Sequence, residues 1–225
     1  MVTPYDWQEA IGHRAQFIEA RLASAVPVVA VSLDEGIVAA TFRKQTSKIY
    51  EIYDRLMYAA IGQQSDIESL RVAAIDFAHR EGYNRSEQDV SIQRIVTAMS
   101  QPIKDSFANF AAAPWVGKAL FFEIGEQPSE DRYMCLEYDG DYVTDHQVSC
   151  LHGTSEGAAI ILKSLASLDR KGLTAKRAVK TLREIILTSL SEGEADGEES
   201  IKALEYEAAV MARNQVGDRH FERIV

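Results

Sequence analysis

The chain has 225 residues and carries 34 acidic against 24 basic side chains, a formal net charge of −10. With 46% hydrophobic and 26% charged residues, its composition is globular rather than disordered, and its length suits one domain of generous size. The acidic balance argues against nucleic acid as a partner, no apolar run approaches the roughly 18 residues that cross a bilayer, and the start Met1–Arg14 lacks the basic-then-apolar order of a secretory signal, so a cytoplasmic protein is expected.

The first segment, from about Tyr5 to Ala25, has apolar residues at Ala10, Ile11, Phe17, Ile18, Leu22 and Ala25, near helical spacing. Pro27 ends this amphipathic helix. Val28–Leu33 and Ile37–Phe42 are short apolar runs around the turn Asp34-Glu35-Gly36, which predicts a buried β-hairpin. Lys48–Tyr53 alternates, and Leu56–Ile61 is a further strand. Two helices follow. Ser65 and Glu68 have capping-box spacing and Gly82 marks a stop. Ser86 and Asp89 open the second helix by the same logic, with Pro102 as a kink. Their apolar stripes are Ile67, Leu70, Ala74, Phe77 and Ala78, then Val90, Ile92, Ile95, Val96 and Met99.

Strands return at Ala119–Ile124, Tyr133–Tyr138 and Tyr142–Leu151, the last two read as a hairpin turning at Asp139-Gly140. In a two-residue turn Cys135 would face Thr144. Cys135 and Cys150 are then not neighbours, and both read as free, buried thiols of a reducing compartment. Thr154 caps a helix over Ala158–Leu168, and Thr174 caps another with Ala178, Val179, Leu182, Ile185, Ile186 and Leu190 on one face. Ser191–Ser200 carries five acids and no base, so half the net charge falls on one predicted loop. Leu204–Met211 and Arg219–Ile224 are strand-like. Strands thus come in blocks between helix pairs, which argues against a βαβ arrangement. The pattern predicts an α+β fold, a four-layer α-β-β-α sandwich with an extra N-terminal helix.

Little catalytic chemistry is visible. His146, Cys150 and His152 could share a strand face, but no fourth zinc ligand stands near them. Neither a phosphate-binding Gly-rich loop nor Gly-x-Ser-x-Gly occurs. No metal or cofactor is expected. Four-layer sandwiches host N-terminal nucleophile hydrolases, in which a terminal Thr attacks with its own amine as base. Thr3 is separated from the first strand by a helix, and Thr154 is better explained as a cap. A self-processing threonine hydrolase is therefore the alternative rather than the leading reading.

Several stretches, in order over nearly the whole chain, resemble the alpha subunit of the bacterial proteasome core particle. They are Lys48-Ile49-Tyr50-Glu51-Ile52-Tyr53-Asp54-Arg55 with Ala59-Ala60-Ile61-Gly62, then Arg80-Glu81-Gly82-Tyr83 with Asp89-Val90. Tyr138-Asp139-Gly140, Gly153-Thr154-Ser155-Glu156, Ala203–Val210 and Arg219–Ile224 continue the series. The resemblance implies the N-terminal nucleophile hydrolase fold without catalysis. It implies a homo-heptameric outer ring stacked on beta subunits. Residues 1–7 would be an N-terminal gate segment, including Thr3, Pro4, Tyr5, Asp6 and Trp7, ahead of a single domain over residues 8–225 whose first helix spans residues 8–25. Lys48 would receive the C-terminal carboxylate of a ring-shaped ATPase or other activator, in a cleft between adjacent subunits. Val26-Pro27, where the actinobacterial form is expected to have Lys-Ser, is a departure from the family pattern.

Overall fold

A computed structural model of the chain describes residues 4–193, 203–213 and 220–225. The first helix, α1 (Pro4–Leu22), opens on proline, whose fixed φ and missing N–H suit a first helical turn. It therefore takes in Pro4–Trp7. It ends before Ala25 because the Ala25 N–H turns back to the Leu22 carbonyl at 2.8 Å, which redirects the chain into β1.

Strands β1 (Val28–Leu33) and β2 (Gly36–Arg43) form the expected hairpin. They are joined by β8 (Val148–Leu151), β9 (Glu205–Ala212) and β10 (Phe221–Arg223) in an antiparallel sheet of order β10-β9-β2-β1-β8. The second sheet is a meander in chain order, β3 (Ile49–Tyr53), β4 (Leu56–Gly62), β5 (Gly117–Glu123), β6 (Arg132–Leu136) and β7 (Tyr142–Asp145). Strand periodicity sorts the side chains into layers. Val28, Ala30, Ile37 and Ala39 meet Met57, Ala59, Leu120 and Phe122 between the sheets. Val29, Val31, Val38 and Ala40 turn outward onto α4 (Ser155–Ala166) and α5 (Ala175–Gly193), through Ile161, Leu165, Leu182 and Ile186. Tyr58, Phe121 and Met134 face α2 (Gln64–Asn84) and α3 (Ile92–Ala108), through Leu70, Ala74, Ile95 and Val96. Each Val, Leu, Ile, Phe or Met among them contributes about 1.5–3 kcal/mol by leaving water, and each Ala about 0.8 kcal/mol. The four-layer α-β-β-α sandwich is the architecture expected from the sequence.

Several local readings are corrected. The Ser65–Glu68 box does not cap α2, which begins at Gln64 with Gln63 at its N-cap and no side-chain cap bond. Gly82 does not stop that helix either, because the helix runs on to Asn84. Its face abuts β3, where an added Cβ would overlap the Tyr53 hydroxyl unless that side chain gave way. Ser86 caps a short 3-10 turn, Glu87–Asp89, rather than α3. At the start of α3 the Ile92 N–H donates to the Glu123 carboxylate of β5 at 3.0 Å. Similarly, the Ala175 N–H of α5 donates to Glu35 in the β1–β2 turn at 2.8 Å. Thr154 does cap α4, its hydroxyl accepting from the Gly157 N–H at 3.2 Å.

The hairpin between β6 and β7 has a three-residue loop. Gly140 N–H donates to the Glu137 carbonyl, Glu137 N–H donates to the Asp141 carbonyl, and Gly140 has φ +87°. The extra residue moves the register by one, so Cys135 faces Val143 rather than Thr144. Tyr142–Leu151 is not one strand. It breaks at His146-Gln147, where Gln147 has φ +71°, and crosses from the second sheet to the first. Cys135 and Cys150 thus lie in different sheets and both are free, Cys150 buried and Cys135 half-buried. Of the predicted acidic loop, residues 191–193 complete α5 and residues 194–200 lie outside the described residues.

Candidate functional site

β2 ends at Arg43, and the chain crosses to the second sheet through residues 44–48 before entering β3. This crossing leaves a cleft of about 460 Å³ against the carboxyl end of α1. Its walls include Ala25, Val26, Ile61, Gly62 and the cations Arg21, Lys44 and Lys48; among the described residues the lining holds no carboxylate. Lys48 is the fixed member. Its ammonium donates to the Val26 carbonyl at 3.2 Å, and its own N–H donates to Glu207 Oε2 at 2.8 Å. Burial disfavours the charged form and pushes the Lys48 pKa down to about 8, with Glu207 opposing the shift.

Glu207 lies outside the lining and holds the Lys48 backbone from behind. It projects from β9, is 1% exposed, and accepts from Arg223 of β10 at 2.6 Å as well as from Lys48. Arg223 in turn donates to the Ile49 carbonyl at 2.9 Å. One carboxylate–guanidinium pair thus joins the first sheet to the start of β3 and holds the Lys48 backbone. Such a site can receive an anion, above all a carboxylate on a partner's chain end. Sequence reasoning singled out Lys48 and missed Arg21, Lys44, Glu207 and Arg223. Glu207 left a signal, a lone carboxylate inside the apolar run Tyr206–Met211. Arg21 comes from α1, Lys44 from the crossing and Arg223 from β10, and none has a local signal of the others.

The predicted gate residues lie at the opposite end of α1, about 28 Å away along a 19-residue helix. Thr3 lies outside the described residues. Pro4, Tyr5, Asp6 and Trp7 form the first turns, and Trp7 is half-exposed, packed edge-on against Phe110 with ring centroids 4.9 Å apart. Lys48, in the crossing beside the carboxyl end of α1, and the gate residues at its amino end therefore lie at opposite ends of one helix. His146, Cys150 and His152 do not share a strand face. His146 precedes β8, and His152 follows it and accepts from the Thr154 N–H at 3.0 Å. Among the described residues no group of three His, Cys, Asp or Glu side chains could hold a metal ion. Nor is any helix among them long and apolar enough to cross a membrane.

The profile of the proteasome subunit family matches residues 24–203. The chain belongs to the proteasome subunit family. Its four-layer sandwich is consistent with that family's fold. Relatives match along its full length. A protein of Streptomyces griseus named proteasome subunit alpha is 29% identical over 100% of this chain and 82% of its own. One of Streptomyces avermitilis with the same name is 28% identical over 100% and 88%. A third so named, from Acidothermus cellulolyticus, is 30% identical over 72% of this chain and 71% of its own. Within the proteasome subunit family, these three relatives are of the alpha type.

Proposed function

We propose that the chain is the non-catalytic alpha subunit of a bacterial proteasome core. Copies of it form the outer heptameric ring in the cytoplasm, stacked on beta subunits that carry out the hydrolysis. Thr3, Pro4, Tyr5, Asp6 and Trp7 form the gate over the axial opening, and Lys48 docks the C-terminal carboxylate of a ring-shaped ATPase or other activator that drives ATP-dependent protein degradation. The observation that carries this reading is the match of the whole chain to proteins named proteasome subunit alpha. The cationic cleft supports the docking role, because a partly desolvated ammonium gains most from a carboxylate partner. The non-catalytic role is supported at the head of β1. Val28 follows Pro27 and a 19-residue helix, where a nucleophile would need a hydroxyl and a free amine.

Co-expression with the cognate beta subunit, followed by native mass measurement and electron microscopy, tests the assembly. Stacked rings with this chain outermost are expected, and a persistent lone monomer beside active beta rings would overturn the reading. Lys48→Ala should leave the rings intact and abolish stimulation by an activator that acts through its C-terminus. Undiminished stimulation would remove Lys48 from the site. Removing Met1–Trp7 should raise unstimulated peptide hydrolysis by the particle. A self-processed threonine hydrolase would instead show an intact mass lacking the residues ahead of its nucleophile.

A further inference from the structure

α1 is anchored unevenly. Its buried footing is Ile18 and Leu22, packed with Val116, and Glu19 beside them accepts from the Tyr138 hydroxyl at 2.8 Å. Among the described side chains before Ile18, none is fully buried; Ala10, Ile11 and Ala15 are half-buried, and Asp6, Trp7, Gln8 and Glu9 are exposed. Within the amino-terminal half Arg14 reaches furthest across to the neighbouring helix. Arg14 donates through Nη2 to three main-chain carbonyls, Ser106 at 3.0 Å, Asn109 at 2.9 Å and Ala112 at 2.9 Å. Ser106 and Asn109 close α3, where the last carbonyls lack helical partners and the helix dipole is negative. Ala112 belongs to the turn that follows, its own N–H returning to the Asn109 carbonyl at 3.3 Å. The Arg14 guanidinium also lies over the Phe110 ring, 5.2 Å from its centroid, and Phe110 is the ring against which Trp7 packs.

We infer that Arg14 is a positioning residue for the gate. By binding the carbonyls of Ser106, Asn109 and Ala112 and covering Phe110, it fixes the direction in which α1 presents its amino-terminal segment, and it makes that segment move with the 109–112 turn. The inference rests on the gate reading above. It predicts that the closed state depends on a residue seven positions beyond Trp7, whose three carbonyl contacts all come from one guanidinium nitrogen, two hydrogens shared among three acceptors.

The test uses the assembled core particle with its beta partner. Arg14→Ala should raise unstimulated hydrolysis of a short fluorogenic peptide several-fold, towards the level reached by removing Met1–Trp7. Arg14→Lys, which keeps the charge and the N–H donors but not the planar group over Phe110, should fall between wild type and Arg14→Ala. Hydrogen exchange of amides 6–13 should quicken in Arg14→Ala while that of amides 18–22 stays unchanged. In particles already lacking Met1–Trp7, Arg14→Ala should add nothing to hydrolysis. Unchanged exchange at residues 6–13, or an equal rise in hydrolysis in the deleted background, would overturn the inference. Phe110→Ala, which removes the shared ring but leaves the carbonyls, should shift both readouts the same way by less, and serves if Arg14→Ala fails to assemble. If removing Met1–Trp7 does not raise hydrolysis, the gate reading falls and the positioning role with it. Quickened exchange in Arg14→Ala would then mark Arg14 as an anchor of α1 alone.

Discussion

Lys48 carries a titration that an ordinary surface lysine would not show. Its folded-state pKa, about 8, lies below the free value of 10.5 because burial disfavours the ammonium. The sign follows directly. Below pH 8 the group is charged and ready for a carboxylate; as pH rises through 8 the unoccupied cleft loses its charge, and docking must then take up a proton. The activator concentration giving half-maximal stimulation should stay flat below pH 8 and rise about tenfold per pH unit above it, until the pKa of the occupied site is reached. Titrating stimulated peptide hydrolysis between pH 7 and 9.5 reads this, and a flat profile across that range would refute it. The same shift makes the fold gain stability between about pH 8 and 10.5, because there the unfolded chain binds more protons than the native one. Lys48 was legible in the sequence only through the family resemblance, since nothing in residues 44–48 says that they bridge two sheets. Arg14 was not legible at all. Its partners are main-chain carbonyls 92 to 98 residues away, which have no side-chain signature.

Among the elements, what repeats locally was readable and what is supplied from elsewhere was not. The apolar stripes of α2, α3 and α5 and the paired runs of β1 and β2 have periods that only one structure satisfies. The start of α5 after Thr174 was read correctly and that of α3 was not, and at both a distant carboxylate takes the first N–H. Glu123 serves α3 from a strand, and Glu35 serves α5 from a turn 140 residues earlier. Glu35→Ala should therefore cost about 1 kcal/mol in a denaturant titration, the usual loss for a cap. Gly82 is the opposite case, a residue read as local punctuation that answers to a tertiary neighbour. Gly82→Ala would gain up to about 1 kcal/mol in helix propensity. Because the added methyl meets Tyr53, a net destabilisation of about 1–3 kcal/mol from overpacking should win. Urea midpoints compared with wild type decide between the two, and a stabilised variant would show that α2 can slide off β3.

Across the whole molecule, the end of the sandwich away from Lys48 is tied by one buried ion pair. Arg213 follows β9 and meets Asp131, which is fully buried, at 2.8 Å; it also donates to the Leu33 and Gly125 carbonyls. The guanidinium therefore gathers the β1–β2 turn, the β5–β6 connection and the end of β9. Asp131→Asn leaves that cation buried without its counter-ion and should cost about 3–5 kcal/mol. A thermal or denaturant scan checks this, and a loss under 1 kcal/mol would show that water reaches Arg213. The strand orders carry a consequence for biosynthesis. Every strand of the meander sheet lies between residues 49 and 145 and pairs with its neighbours in chain order, whereas β2 must await β9, some 170 residues later. A ribosome releases the whole meander before β9 and β10, the strands that complete the other sheet. Pulse-labelled exchange during refolding should protect β4 and β5 before β2 and β9. Until β9 emerges, β2 presents an unfilled edge, and the nascent subunit is most open to mispairing in the interval between the finished meander and β9.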